Sequence, residues 1–222
     1  MKNINWLDHF ANLLVVVLGI SIAFYLDEYQ AEKNKKAQEA KYIEGLVADL
    51  EADLKALDTL IQVNTKIIAA TNALAAASTG EAYEDLSVLR NDILFIQYNP
   101  PFVAQRTIYE SMKASGKMDL ITDFEVQNQL VELYEQYYKG TSQFDDALNE
   151  HLRDFIKPFF MERIRFTGKG VDDAFLDDLK FQNIIYSYRY LFWAKNNFYE
   201  QVRKQVDSVK VLVESQVQKQ VT

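Results

Sequence analysis

The 222-residue chain has no cysteine, only two histidines, three prolines and seven glycines, and each shortage removes a class of protein. Without cysteine there is no disulfide frame and no thiol nucleophile, although reducing and oxidising compartments tolerate such a chain equally. With His9 and His151 as the sole imidazoles, a zinc site would have to be filled by carboxylates, and no spacing supports one. A di-iron bundle needs paired Glu-x-x-His motifs, and neither histidine follows a glutamate by three residues. Basic residues are also short. A net charge of -8 and 32 acidic against 24 basic side chains exclude a nucleic-acid surface, which phosphates require to be cationic. No phosphate-cradling glycine loop and no nucleophile elbow occurs, and no alternating β-branched run sits between hairpin turns.

What the chain does have is an uncharged apolar run from Phe10 to Leu26, bounded by Asp8 and His9 before it and Asp27 and Glu28 after it. As a helix it reaches roughly 25 Å, close to the roughly 30 Å of a bilayer core. Trp6, Tyr25 and Tyr29 stand at its ends, where amphipathic rings favour the headgroup level. A signal peptide cut after Ser21-Ile22-Ala23 is the rival, but apolar residues continue through Leu26, and a buried core helix would rarely lack a polar stripe. The run predicts a retained transmembrane helix. Lys33, Lys35, Lys36 and Lys41 against Lys2 favour a cytoplasmic C-terminal part, but interleaved Asp27, Glu28, Glu32 and Glu39 leave the side open. Within the span Asn12 could hydrogen-bond a neighbour, and Gly19 with Ala23 forms a small-xxx-small pair that lets another membrane helix approach.

The rest reads as all-α: a short tail over 1–9, the span over 10–26, and a helical stalk and antiparallel bundle over 27–222. From Asp27 to about Ala77 there is no proline and one glycine, so the membrane helix continues outward as an amphipathic stalk. Ile43, Val47, Leu50, Leu54, Leu57, Ile61 and Ile68, with Asn64 in register, fall at alternating steps of four and three, the spacing of a coiled-coil seam. Leu46, Leu60, Ile67 and Leu74 widen the stripe to one side, and the pattern does not distinguish a partner within the chain from one outside it.

Further helices are predicted over about 85–98 and 104–115, stopped by Asn99-Pro100-Pro101 and Gly116. Thr122-Asp123-Phe124-Glu125 reads as a capping box for the next. Gly140-Thr141 is expected to interrupt that helix, Pro158 to kink or end it, and Gly168-Lys169-Gly170 to form a loop. The last helix is expected from about Asp173 to Gln218. Asp145, Asp146, Glu150, His151 and Asp154 read as a solvated acidic face, in which His151 could reach Glu150 or Asp154. Aromatic residues are dense between Phe155 and Tyr199, and Tyr186, Tyr190 and Trp193 form a candidate docking or ligand surface.

The stretch Thr107-Ile-Tyr-Glu-Ser-Met-Lys-Ala-Ser-Gly-Lys-Met-Asp-Leu-Ile-Thr-Asp, with Tyr134, Tyr137-Tyr138 and a span ending in Gly19-Ile-Ser-Ile-Ala-Phe, resembles an uncharacterised family of single-pass helical membrane proteins found mainly in Bacteroidetes. The resemblance covers about half the chain and implies no activity. It also implies a strongly basic N-terminal tail, where this chain has only Lys2. Together these readings predict a non-enzymatic scaffold or accessory subunit of a bacterial inner-membrane assembly, with no cofactor. Its expected partners are the lipid bilayer and other membrane subunits or a second copy, and not nucleic acid. The alternative is a membrane-anchored bundle that senses a small molecule.

Overall fold

The computed structural model describes residues 6–81, 83, 85–167 and 170–220. Helix α1 runs unbroken from Trp6 to Ala77, 72 residues, or roughly 108 Å at 1.5 Å per residue. Nothing in its sequence breaks it: proline is absent and Gly19 and Gly45 are isolated. Its described side chains from Phe10 to Gln38 are exposed, and burial begins at Glu39. Helices α2 (Leu86–Phe95) and α3 (Thr107–Ala114) lie across α1, joined by an extended segment. A broken rod follows, made of α4 (Phe124–Glu132), α5 (Tyr138–His151) and α6 (Lys157–Arg163). A two-residue ladder, β1 (Phe166–Thr167) and β2 (Gly170–Val171), then leads to α7 (Leu179–Gln220).

The ion pairs Glu51–Lys210 and Asp58–Arg203 and the bond from Gln182 to the Ser78 carbonyl fix α7 antiparallel to α1. Asp145 meets Tyr199 and His151 meets Ile184, so the rod is antiparallel to α7 in turn. The interior of α1 is Ile43, Leu46, Leu50, Asp53, Leu57, Asn64, Ile67, Thr71 and Leu74, with Ser78 buried just past its end. Its counterpart on α7 is Phe181, Ile185, Tyr188, Phe192, Lys195, Tyr199, Val202, Val206, Val209, Val213 and Gln216. Both follow the three-four alternation of helices packed side by side. The predicted seam is therefore only half right. Ile43, Leu50 and Leu57 are buried, whereas Val47, Leu54, Ile61 and Ile68 are only partly covered, and of the residues that widened the stripe Leu46, Ile67 and Leu74 lie inside while Leu60 is partly covered. At this seam the partner is the chain's own α7.

The rod shows why two π turns were built into it. Its buried face steps through Val126, Leu130, Tyr134, Tyr138, Thr141, Asp145, Leu148, Leu152, Ile156 and Phe159. A step of four replaces the expected three at Tyr134 to Tyr138 and at Leu152 to Ile156, within the π turns Leu133–Tyr137 and Leu152–Ile156. Each π turn absorbs one extra residue and keeps the face inward.

Several local expectations need correction. Helix α2 begins after Asp85, which caps the Ser87 amide at 2.8 Å, and ends at Phe95 rather than Tyr98; α3 starts at Thr107 rather than Ala104. The cap of α4 is Asp123, accepting from the Glu125 amide at 3.0 Å, and not Thr122. Pro158 ends nothing, because it sits in the first turn of α6. In the predicted loop, Gly168 and Lys169 lie outside the described residues, and the flanks pair as the short ladder. A 3-10 turn at Ala174–Asp177 delays α7 to Leu179.

Gly140 does not interrupt α5. A Cβ there would lie 2.5 Å from the Phe198 ring, so glycine is needed for the close approach of α7. Gly140→Ala is expected to destabilise the fold by about 1–3 kcal/mol through overpacking, read as a lowered midpoint in thermal unfolding.

Candidate functional site

The segment between α2 and α3 passes over the bundle in extended form, so its backbone groups have no helical partners and must be met by side chains. The Tyr188 hydroxyl donates to the Ile96 carbonyl at 2.6 Å, and Lys195 Nζ to the Asn99 side chain at 2.7 Å and the Pro100 carbonyl at 2.9 Å. The Phe102 amide donates to Tyr199 Oη at 3.2 Å and the Gln105 amide to Asp53 Oδ1 at 2.8 Å. Asp145 anchors the clasp: Lys195 Nζ lies 2.8 Å from Oδ1, and the Tyr199 hydroxyl is 3.0 Å from both oxygens. Tyr138 donates to Asp53 Oδ2 at 2.6 Å.

This network is interior. Lys195 is fully buried and Asp53 and Asp145 nearly so. Burial lowers the Lys195 pKa, opposed by Asp145, and raises those of Tyr138, Tyr188 and Tyr199. Asp53 is pushed up to about 6, chiefly by desolvation, against the bonds from Tyr138 and Gln105. Phe192 and Tyr199 place their rings 5.7 and 5.0 Å from the Lys195 ammonium.

The residues that carry the family resemblance meet beside this clasp. Tyr109 stacks on Tyr134 with centroids 4.1 Å apart, and Tyr138 packs edge-on against Tyr134 and Phe102. Glu135 takes Lys113 and Lys139, each at 2.6 Å, which pull its pKa down to about 2. Both sides of the clasp are occupied by protein groups, which hold the crossing segment against the bundle.

Asp145 therefore leaves the predicted acidic face and points inward. The other members stay at or near the surface, where Arg153 pairs with Glu150 and Asp154. His151 reaches neither acid: its Nε2 lies 3.2 Å from the Ile184 carbonyl and from Ser187 Oγ. Burial lowers its pKa, against the bond to the Ile184 carbonyl. His151, Phe155, Leu179, Ile184 and Ser187 line an open groove of about 640 Å³. Among the described residues, no three His, Asp or Glu side chains converge as metal ligands would.

The predicted aromatic trio does come together. Tyr186, Tyr190 and Trp193, with Arg189, Ile68 and Asn72, line a groove of about 460 Å³ between α7 and α1. The three rings are 43%, 65% and 54% exposed, and Arg189 lies 4.7 Å over Tyr186. Asn12, Gly19 and Ala23 all lie on the exposed part of α1, and nothing stands within 4 Å of a Cβ built at Gly19.

Sequence reading missed Asp53, Tyr138, Asp145, Lys195 and Tyr199 as one cluster. The signal that finds them is the heptad count carried through polar positions.

Lys195→Ala would leave Asp145 buried without its cation, and a loss of roughly 3–5 kcal/mol is expected in chemical denaturation. For Asp53 the folded pKa lies above the ordinary 3.8, so its protonated form is favoured by folding. That contribution is complete below about pH 4 and is lost as pH rises through about 6. Asp53→Asn should therefore flatten the fall in stability between those values, with a midpoint about 5 °C above the parent's at pH 7.5 relative to the difference at pH 4. Thermal melts across that range check the sign.

A search of curated proteins finds no match, nor does one of solved structures. Residues 12–192 match the model of a family of unknown function, DUF6090. That match takes in most of α1, the crossing segment, the rod and the first turns of α7, and so every member of the clasp except Lys195 and Tyr199. On that coverage, the chain belongs to the DUF6090 family.

Proposed function

We propose that this protein is a non-enzymatic helical scaffold, an accessory subunit held in a bacterial inner membrane by the Phe10–Leu26 stretch of α1. One observation carries the reading. The apolar stretch carries no charged side chain and is not covered by the rest of the molecule. Exposed aliphatic surface on that scale is untenable in water and natural in lipid. From Leu26 the same helix crosses a polar interval of roughly 18 Å before burial begins, which holds the bundle off the membrane surface.

The outward features fit docking. Gly19 and Ala23 offer a close-approach face within the bilayer, and the groove of Tyr186, Arg189, Tyr190 and Trp193 presents the residue types that dominate interface hot spots. The partners would be other membrane subunits or a second copy. A second reading, a membrane-anchored sensor, draws on the His151 groove, whose apolar walls and few polar groups suit a small molecule.

Cross-linking in native membranes, followed by detergent extraction and mass measurement of the particle, tests the scaffold. The expected result is a particle larger than one chain that falls apart in the Tyr190→Ala/Trp193→Ala double variant or in Gly19→Leu. A strict monomer without cross-linked neighbours would sink it. A metabolite screen with a thermal shift abolished by Leu179→Glu would support the sensor instead.

A further inference from the structure

Asn64 is fully buried on α1, and neither atom of its side-chain amide is bonded to a protein group. Asn196 on α7 is 8% exposed, and its Oδ1 is likewise unpaired. The facing columns of the two helices bring these residues to one level. Glu51 meets Lys210, Asp58 meets Arg203, and Asn72 shares a groove with Arg189. The first two pairs are one heptad apart and the last two are two heptads apart, and midway between Asp58 and Asn72 this register sets Thr65 opposite Asn196, immediately beside Asn64.

The polar groups around that layer are bonded elsewhere. An ammonium has three protons, and those of Lys195 go to Asp145, Asn99 and Pro100. The Tyr199 hydroxyl is taken by Asp145 and the Phe102 amide, and the Thr65 hydroxyl by the Ile61 carbonyl. Asn196 Nδ2 donates to Glu200. Left without a protein partner are three atoms, Asn64 Nδ2, Asn64 Oδ1 and Asn196 Oδ1. A group that accepts once and donates twice completes the set, which is the capacity of one water molecule and the usual bonding of a buried one.

We propose that Asn64 and Asn196 form an internal water-binding site between α1 and α7, in the layer of the buried Lys195. The site fixes helix register: a slip of α7 by one heptad would put Arg189 or Arg203 in place of Asn196 and take away the amide that faces Asn64.

X-ray hydroxyl-radical footprinting of the full chain in nanodiscs tests this, because ionised internal water oxidises side chains that bulk solvent never reaches. Ile67, fully buried and one turn from Asn64, is expected to be labelled, whereas the equally buried Leu74, farther along the helix, is not. Asn64→Leu should abolish labelling at Ile67 and raise the unfolding midpoint, while Asn64→Ser, which keeps a polar group, should retain the label. An unlabelled Ile67 in the parent chain overturns the site, as does equal labelling in Asn64→Leu. Should Asn64→Leu fail to fold, the parent chain and Asn64→Ser decide the matter.

Discussion

The antiparallel register of α1 against α7 decides which polar groups meet in the interior, and most other features follow from it. With Asp58 against Arg203 and Ser78 against Gln182, the layer containing Lys195 falls beneath the extended segment between α2 and α3. That segment can cross a bundle only if its amides and carbonyls find partners, and the register delivers them one after another: Tyr188, Lys195, Tyr199 and Asp53. An ion pair at such depth costs desolvation that Coulomb attraction offsets only when every remaining donor is used. Here each proton of Lys195 has an acceptor, so the charge is held by geometry and not by exposure to water.

The rod answers to the same constraint from the other side. Asp145 reaches Lys195 and Tyr199 because it stays in phase with the aromatic face that begins at Val126. A regular α-helix would have rotated that face away by the time it passed Tyr138. The π turn at Leu133–Tyr137 corrects the phase ahead of Asp145, and the second, at Leu152–Ile156, corrects it again before Phe159. Gly140 lies between them, where Phe198 of α7 comes too close for any side chain.

Helix content and the apolar N-terminal stretch were legible in the sequence, because both depend on runs of residues and on the absence of breakers. The interior face of α1 was only half legible. Choosing apolar residues at heptad spacing selects Val47, Leu54, Ile61 and Ile68, yet the helix buries Asp53 in the column of Leu46 and Ile67, and Thr71 in that of Ile43, Leu50 and Leu57. Polar residues occupy those columns because they bond to tyrosine, to the crossing backbone or to their own helix, none of which hydrophobicity registers. Lys195 is hidden for the same reason, lying in step with Phe192 and Tyr199. The breakers misled in the opposite direction: Gly140 serves packing and Pro158 occupies a first helical turn, so neither ends its element. The aromatic trio was found because spacing on one helix, Tyr186, Tyr190 and Trp193, is sufficient to place three rings on one face.

Polarity is distributed in a way that bears on what such a molecule can do. Asp53, Asp145 and Lys195 face inward and bind backbone or other side chains, whereas the apolar stretch before Leu26 and the rings of Tyr186, Tyr190 and Trp193 are exposed. An interior occupied in this way holds shape. α1 is one helix from the apolar stretch to Ala77, with no glycine pair or proline to bend it, so the stretch and the bundle share a single continuous element. The aromatic groove at Ile68 lies roughly 60 Å along that helix from Leu26, near its far end.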